Sequence, residues 1–240
     1  MALGDAIREY QETRSPADRG TLCHAPFVSL NFEQNGNATA CCYNRKYVLG
    51  RYPQSSLAEI WEGEKIRGLR AALEIGDFSK GCELCLEQME SRNFAGMRAR
   101  FFDGLRDGSD RLGPLSPKII EFELSNTCNL ECVMCSGYFS SSIRRNREKL
   151  PPIENPYDDA FVEQLKPYLG GLVWAKFLGG EPFLNPLYFK IWDSIVESES
   201  PVKTVITTNG TILTPKIKKL IGRLKPYLVL SIDSLRKESY

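Results

Sequence analysis

The rhythm of apolar and polar positions changes near residue 118 of this 240-residue chain. Ahead of that point it is broken by cysteines and turn formers. "FVSLNFEQNGNATACCYN" (27–44) alternates apolar and polar residues around "EQNGN", and Asn35-Gly36 is a strong turn signal, so a β-hairpin is expected. Such a hairpin would carry Cys41 back towards Cys23. "SLAEIWEGEKIRGLRAALEIG" (56–76) places Leu57, Ile60, Trp61, Ile66, Leu69 and Leu73 largely at helical spacing, which predicts one helix. Ser56 is its N-cap, with Glu59 at the capping-box distance. The rest of this block reads as irregular.

Beyond residue 118, strand and helix alternate. Strands are expected at "KIIEFEL" (118–124), "LVWAKFL" (172–178), "VKTVITT" (202–208) and "YLVLSID" (227–233). Helices are expected around 137–149, at 156–169, near 186–198 and at 214–226, the last capped by Thr214 before Pro215. Apolar, β-branched strands separated by helices predict an α/β unit, a parallel sheet covered by helices. "YLVLSID" is apolar on both faces, as a fully buried parallel strand should be. The Gly-, Pro- and Asp-rich stretch "DGLRDGSDRLGPLSPK" (103–118) is the expected linker, giving domains at 1–110 and 118–240 joined by 111–117.

Charge narrows the partners. Lys and Arg number 31 against 30 Asp and Glu, so there is no field to gather nucleic acid or an anionic membrane. "RRNREK" (144–149) is expected to be a solvated helix face. The N-terminal "MALGDAIREYQETR" has no apolar h-region, and no segment approaches the ~18 apolar residues of a membrane span. A cytoplasmic protein with reduced thiols is therefore expected. Eight cysteines in that setting argue for metal ligation over disulfides, and a single histidine, His24, excludes zinc sites built from two cysteines and two histidines.

In parallel α/β architectures functional groups collect at the carboxyl ends of the strands. Here those ends run into "SNTCNLECVMC", "GGE", "TTNG" and "SID". Cys128, Cys132 and Cys135 can hold three corners of an iron–sulfur cube and leave one position open, the mark of a catalytic metal site. The alternatives are small buried hydrophobes or a zinc site.

The C-x3-C-x2-C spacing of these three cysteines, then "GGEP" one strand later, "TNG" after the third strand and "SID" on the fourth, resembles the radical S-adenosylmethionine (radical SAM) superfamily in order and spacing. The resemblance implies a 4Fe–4S cluster on Cys128, Cys132 and Cys135 whose open iron is chelated by SAM, and cleavage of SAM to a 5′-deoxyadenosyl radical. It implies that Gly179, Gly180 and Glu181 meet the SAM amino group. It puts Met134 at the apolar position that packs on adenine, a core methionine being the alternative. Ser231 and Asp233 fall where ribose or substrate contacts are made, or are a polar strand end. Asn209 belongs to the cofactor site or is a turn former. Radical SAM barrels usually have six strand–helix units. The four here imply a partial TIM-like (β/α) barrel, read as truncated at its C-terminus.

Cys23, Cys41, Cys82 and Cys85 form a second set, enough thiolates to close a 4Fe–4S cluster or a zinc site. It resembles the auxiliary-cluster SPASM or twitch domain, a small cysteine-rich α+β module. Such modules usually follow the barrel, whereas here it precedes it. Cys42 is the spare thiol, or the ligand in place of Cys41. The resemblance implies a radical SAM oxidoreductase or maturase with two 4Fe–4S clusters and an electron donor such as flavodoxin or ferredoxin. The expected substrate is a peptide or protein. The alternatives are dehydrogenation of a small alcohol, or a non-catalytic iron–sulfur or zinc protein.

Overall fold

The structure, a computed structural model, describes residues 3–105, 116–232, 234 and 236. Asp233 and residues 111–115 of the expected linker lie outside the described residues. The fold is mixed α/β and divides into two compact units. One comprises Met1–Asn31 and Asn37–Lys118, the other Phe32–Gly36 and Ile119–Tyr240.

The first unit opens with α1 (Leu3–Glu12), which buries Ala6 and Tyr10, and a short α2 (Ala25–Val28). The strands β1 (Ser29–Glu33), of which Phe32 and Glu33 are counted with the other unit, and β2 (Asn37–Thr39) flank the turn foreseen at Asn35-Gly36. There the Gly36 amide donates to the Glu33 carbonyl at 2.9 Å and Gly36 has φ 90°, a left-handed value that a glycine takes without strain. A two-residue strand, β3 (Gly50–Arg51), pairs antiparallel with β2.

The helix expected over 56–76 is two helices, α3 (Leu57–Glu62) and α4 (Glu64–Glu74). Ser56 and Glu59 do form the capping box. The break falls at Gly63, whose extended backbone (φ −67°, ψ 165°) leaves its α-carbon against the Glu59 carbonyl oxygen, where a Cβ would overlap. The apolar stripe runs through the break, so periodicity alone reads it as continuous. Three further helices escaped the pattern: α1, α2, and α5 (Glu83–Glu90), which buries only Met89.

In the second unit β4 (Ile119–Glu123) is followed by the cysteine loop and then α6 (Ser141–Asn146) and α7 (Asp159–Leu169). Next come β5 (Trp174–Phe177), α8 (Pro186–Glu197), β6 (Lys203–Thr208), α9 (Pro215–Leu224) and β7 (Tyr227–Leu230). The four strands pair in parallel in chain order, with Phe122 level with Phe177 and Phe177 level with Ile206. Helix starts match their caps: Asp158, Asn185 and Thr214 each accept an amide of the first turn. The helix expected over 137–149 is shorter, because Ser136–Ser140 fold into a tight turn before Ser140 caps α6.

The core of this unit is aromatic. Phe122 stacks on Phe177 at 4.9 Å, and Tyr188 and Trp192 meet Phe177 edge-on at 5.1 and 5.3 Å. The Tyr188 hydroxyl accepts the Leu124 amide at 2.9 Å and lies 2.8 Å from both the Phe122 and Leu178 carbonyls. One buried phenol therefore joins the carboxyl ends of β4 and β5, where the site loops begin.

The last strand corrects an expectation. All four residues of β7 are exposed, with Val229 at 48%. Parallel pairing with β6 satisfies one edge, and an apolar strand is left as the outermost member. No helix among the described residues is long and apolar enough to cross a membrane.

Candidate active site and metal centres

Four strand ends build one cavity in the second unit. It measures about 410 Å³ and is lined by Cys128, Leu130, Cys132, Met134, Cys135, Phe139, Leu178, Gly179, Gly180, Thr207, Thr208, Asn209 and Ser231. Among the described residues no charged side chain lines it.

The cysteine loop is held by its own polar neighbours. Ser141 accepts the Cys128 amide at 3.1 Å, and the Ser142 hydroxyl donates to the Cys128 carbonyl at 2.7 Å. Ser140 donates to the Leu130 carbonyl at 2.7 Å, and buried Asn126 donates to the Gly137 carbonyl at 3.0 Å. The Cys135 amide closes a turn on the Cys132 carbonyl at 3.0 Å. Sequence reasoning did not assign these roles to the serines after the third cysteine. Their signal is a polar run placed where a helix must begin. The three cysteines are free and partly exposed, and burial beside the Cys128 and Cys132 thiols raises the Cys135 thiol pKa.

Gly179 and Gly180 turn with φ 76° and 46°, and the chain there lies flush on the start of the cysteine loop. A Cβ on Gly180 would overlap the Thr127 carbonyl oxygen and sit 2.8 Å from the Asn126 carbonyl carbon. Glu181 lies behind the cavity wall. It is 1% exposed and does not line the cavity. Its amide donates to Thr127 O at 2.7 Å. Its carboxylate accepts the Thr208 hydroxyl at 2.7 Å and the Phe183 and Asn209 amides at 3.1 and 2.8 Å. The carboxylate is consumed by internal bonds that tie the turn after β5 to the loop after β6.

Asn209 stands over the trio. Its Nδ2 donates to Asn129 Oδ1 at 3.0 Å and lies 4.0 Å from Cys128 Sγ. Met134 is 70% exposed on the cavity rim, so it is not a core methionine. Ser231 is exposed, lines the cavity and is fixed by its amide bond to Thr208 O at 2.9 Å.

In the first unit Cys23, Cys41, Cys82 and Cys85 line a second cavity together with Pro26, Phe78, Met97 and Phe102. Burial raises the pKa of all four thiols, Cys82 to about 12. Amides counter it: Ala25 N donates to Cys23 Sγ at 3.3 Å, and Asn44 Nδ2 donates to Cys82 Sγ at 3.3 Å. Cys42 does not line this cavity.

Both sets suit a cube of iron and sulfide. Each offers free thiols around a single space, with N–H donors able to take up thiolate charge. Among the described residues, the group of three or more potential ligands whose donor atoms all lie within 4.8 Å of one another is Asp18, His24 and Asp103, so neither cysteine set is drawn that tightly. Tetrahedral zinc, with Zn–S about 2.3 Å, holds its sulfurs only about 3.8 Å apart. The Asp18–His24–Asp103 group already contains a cation, since buried Arg14 pairs with Asp103 at 2.6 Å.

Comparison with known proteins agrees with this geometry. The family model of the radical SAM superfamily matches residues 122–240, and that of the SPASM iron–sulfur cluster-binding domain matches residues 23–86. The chain is 33% identical to an AdoMet-dependent heme synthase of Methanosarcina barkeri, over 52% of this chain and 34% of that protein. It is 29% identical to an S-adenosylmethionine-dependent nucleotide dehydratase of Lacinutrix mariniflava, over 50% of this chain and 24% of that protein. It is 26% identical to a radical SAM cyclopropyl synthase of Paramaledivibacter caminithermalis, over 49% of this chain and 27% of that protein. The matches thus span about a quarter to a third of these relatives' lengths. No solved structure matches the chain. The family implies a SAM-binding 4Fe–4S cluster, and the SPASM domain implies auxiliary iron–sulfur binding. With its three-cysteine loop beneath a glycine turn and a four-cysteine module ahead of it, the chain belongs to the radical SAM superfamily and carries its SPASM domain on the N-terminal side.

Proposed function

We propose that this chain is a radical SAM enzyme acting on a peptide or protein, with Cys128, Cys132 and Cys135 as the ligands of the SAM-binding cluster. The observation that carries this reading is that the trio, the Gly179-Gly180 turn and the Asn209 loop line one 410 Å³ cavity. When bound there, a reduced cluster with SAM would supply radical chemistry, the abstraction of a hydrogen atom from substrate.

The chain's own residues bind and orient. Gly179 and Gly180 bring backbone to the cavity wall with no side chain in between, which suits a cationic amine accepted by peptide carbonyls. Glu181 holds that turn and the Asn209 loop in register from behind. Met134 and Leu130 offer an apolar surface to a purine face at the rim, and Ser231 a hydroxyl to ribose. Asp233 is assigned the same neighbourhood from its place in the sequence alone. The four parallel strands are taken as part of a β/α barrel spanning 118–240, preceded by an auxiliary domain at 1–110 and a linker at 111–117.

Cys23, Cys41, Cys82 and Cys85 are assigned to an auxiliary 4Fe–4S cluster, and iron–sulfide over zinc is supported by the fact that no three of their sulfurs lie within 4.8 Å of one another. Among the described residues no charged side chain lines the cavity, which supports a neutral peptide segment over a phosphorylated small molecule. Eight cysteines outside any disulfide and oxygen-sensitive clusters favour the cytoplasm, with a flavodoxin or ferredoxin as reductant.

The test is anaerobic reconstitution, reduction and assay for 5′-deoxyadenosine, followed by incubation with deuterated candidate substrates. Deuterium transferred from a peptide into 5′-deoxyadenosine is expected. Transfer from a small alcohol instead would replace the substrate assignment, and no SAM cleavage at all would overturn the reading.

A further inference from the structure

Asn44 is 2% exposed, and its side-chain amide is clamped between two acceptors. Nδ2 lies 2.7 Å from the Lys80 carbonyl oxygen and 3.3 Å from Cys82 Sγ. The orientation of the amide is thereby fixed, because turning it over would bring Oδ1 against a carbonyl oxygen. Gly81 makes the approach possible. It has φ 75°, and a Cβ there would meet Tyr47 Cβ at 2.9 Å and Asn44 Nδ2 at 3.0 Å. The Lys80–Cys82 turn therefore wraps the head of this one amide. The neighbouring sulfurs Cys23, Cys41 and Cys85 face backbone amides, from Ala25, Tyr43 and Arg98–Ala99. At Cys82 the donor is a side chain.

We propose that Asn44 sets the reduction potential of the auxiliary cluster by donating its Nδ2–H to Cys82 Sγ. The inference rests on the assignment of Cys23, Cys41, Cys82 and Cys85 as that cluster's ligands. When the cluster takes one electron from an external reductant, negative charge spreads onto the thiolate sulfurs. No bond forms or breaks, and the proton stays on Asn44. A fixed N–H dipole in a buried, low-dielectric site stabilises the reduced state more than the oxidised one and so raises the potential. Asn44 thus acts through Cys82, and a role confined to holding the Lys80 carbonyl would leave the potential unchanged.

The experiment uses the full chain with Cys128, Cys132 and Cys135 changed to Ala, so that only the auxiliary site can load. It is reconstituted with iron and sulfide and titrated with dithionite under EPR detection. Asn44→Ala and Asn44→Ser should retain about four irons per chain. Each should be reduced roughly tenfold less favourably, a fall of about 59 mV for one electron. An unchanged potential in either cluster-holding variant overturns the inference. A second measurement does not depend on the variants folding. With Asn44 intact and asparagine side chains labelled with 15N, the reduced cluster should show 15N coupling, and its absence also overturns the proposal. A parent protein that takes up no iron removes the ligand assignment itself, and the inference with it.

Discussion

Glu181 and Asn209 are joined by a buried bond: Oε2 of the glutamate accepts the asparagine amide at 2.8 Å. Its other oxygen takes the Thr208 hydroxyl, so one carboxylate holds the loop that carries Asn209 over Cys128. Glu181→Ala strands a hydroxyl and two amides and should cost about 3 kcal/mol, since each buried unsatisfied group costs about 1–3 kcal/mol. Glu181→Gln retains the shape but faces an amide with a donor, and should cost about 1–2 kcal/mol. Urea unfolding of the cluster-free protein measures both, and SAM affinity should fall in the same order.

This division of labour was only partly legible. The capping box at Ser56 and Glu59, the Asn35-Gly36 turn and the four parallel strands follow from local chemistry, so residue order was enough. The break at Gly63 depends on how its extended backbone meets the Glu59 carbonyl, which the apolar period conceals. Glu181 stood within a recognisable "GGE", but whether its carboxylate faces the cavity or the interior is decided by Thr208, 27 residues away. Asn44 was missed because nothing in its neighbourhood marks a donor whose acceptor is 38 positions on.

Gly180 should tolerate no side chain. Gly180→Ala places a methyl group against the Thr127 carbonyl at a left-handed φ of 46°. Strained positions of this kind cost on the order of 1–3 kcal/mol. SAM binding, measured by equilibrium dialysis on the reconstituted protein, should weaken roughly tenfold or more, equivalent to about 1.4 kcal/mol.

His24 makes the protein acid-sensitive. It is the single histidine, and burial, aided by the Arg14 cation, holds its pKa below the usual value of 6.5. Below that value the unfolded chain binds a proton that the folded chain resists. Stability is therefore full above about pH 6.5 and is lost as pH falls towards the folded pKa. Chemical unfolding of the cluster-free protein between pH 7.5 and 5 should show this slope, and His24→Gln should flatten it.

The exposed β7 should govern solubility. Val229→Lys adds a charge to an apolar strand that is solvent-accessible along its whole length. Charged residues on edge strands oppose edge-to-edge pairing. Light scattering of the purified chain should show less association with Val229→Lys than with the natural sequence, at unchanged iron content.

The ligand assignment at Cys128, Cys132 and Cys135 is tested most directly by counting iron in anaerobically reconstituted protein. The natural sequence should hold about eight irons per chain, in two cubes, and the Cys128, Cys132, Cys135→Ala variant about four, with all SAM cleavage lost. An unchanged iron count in that variant, or zinc in place of iron, would contradict the account.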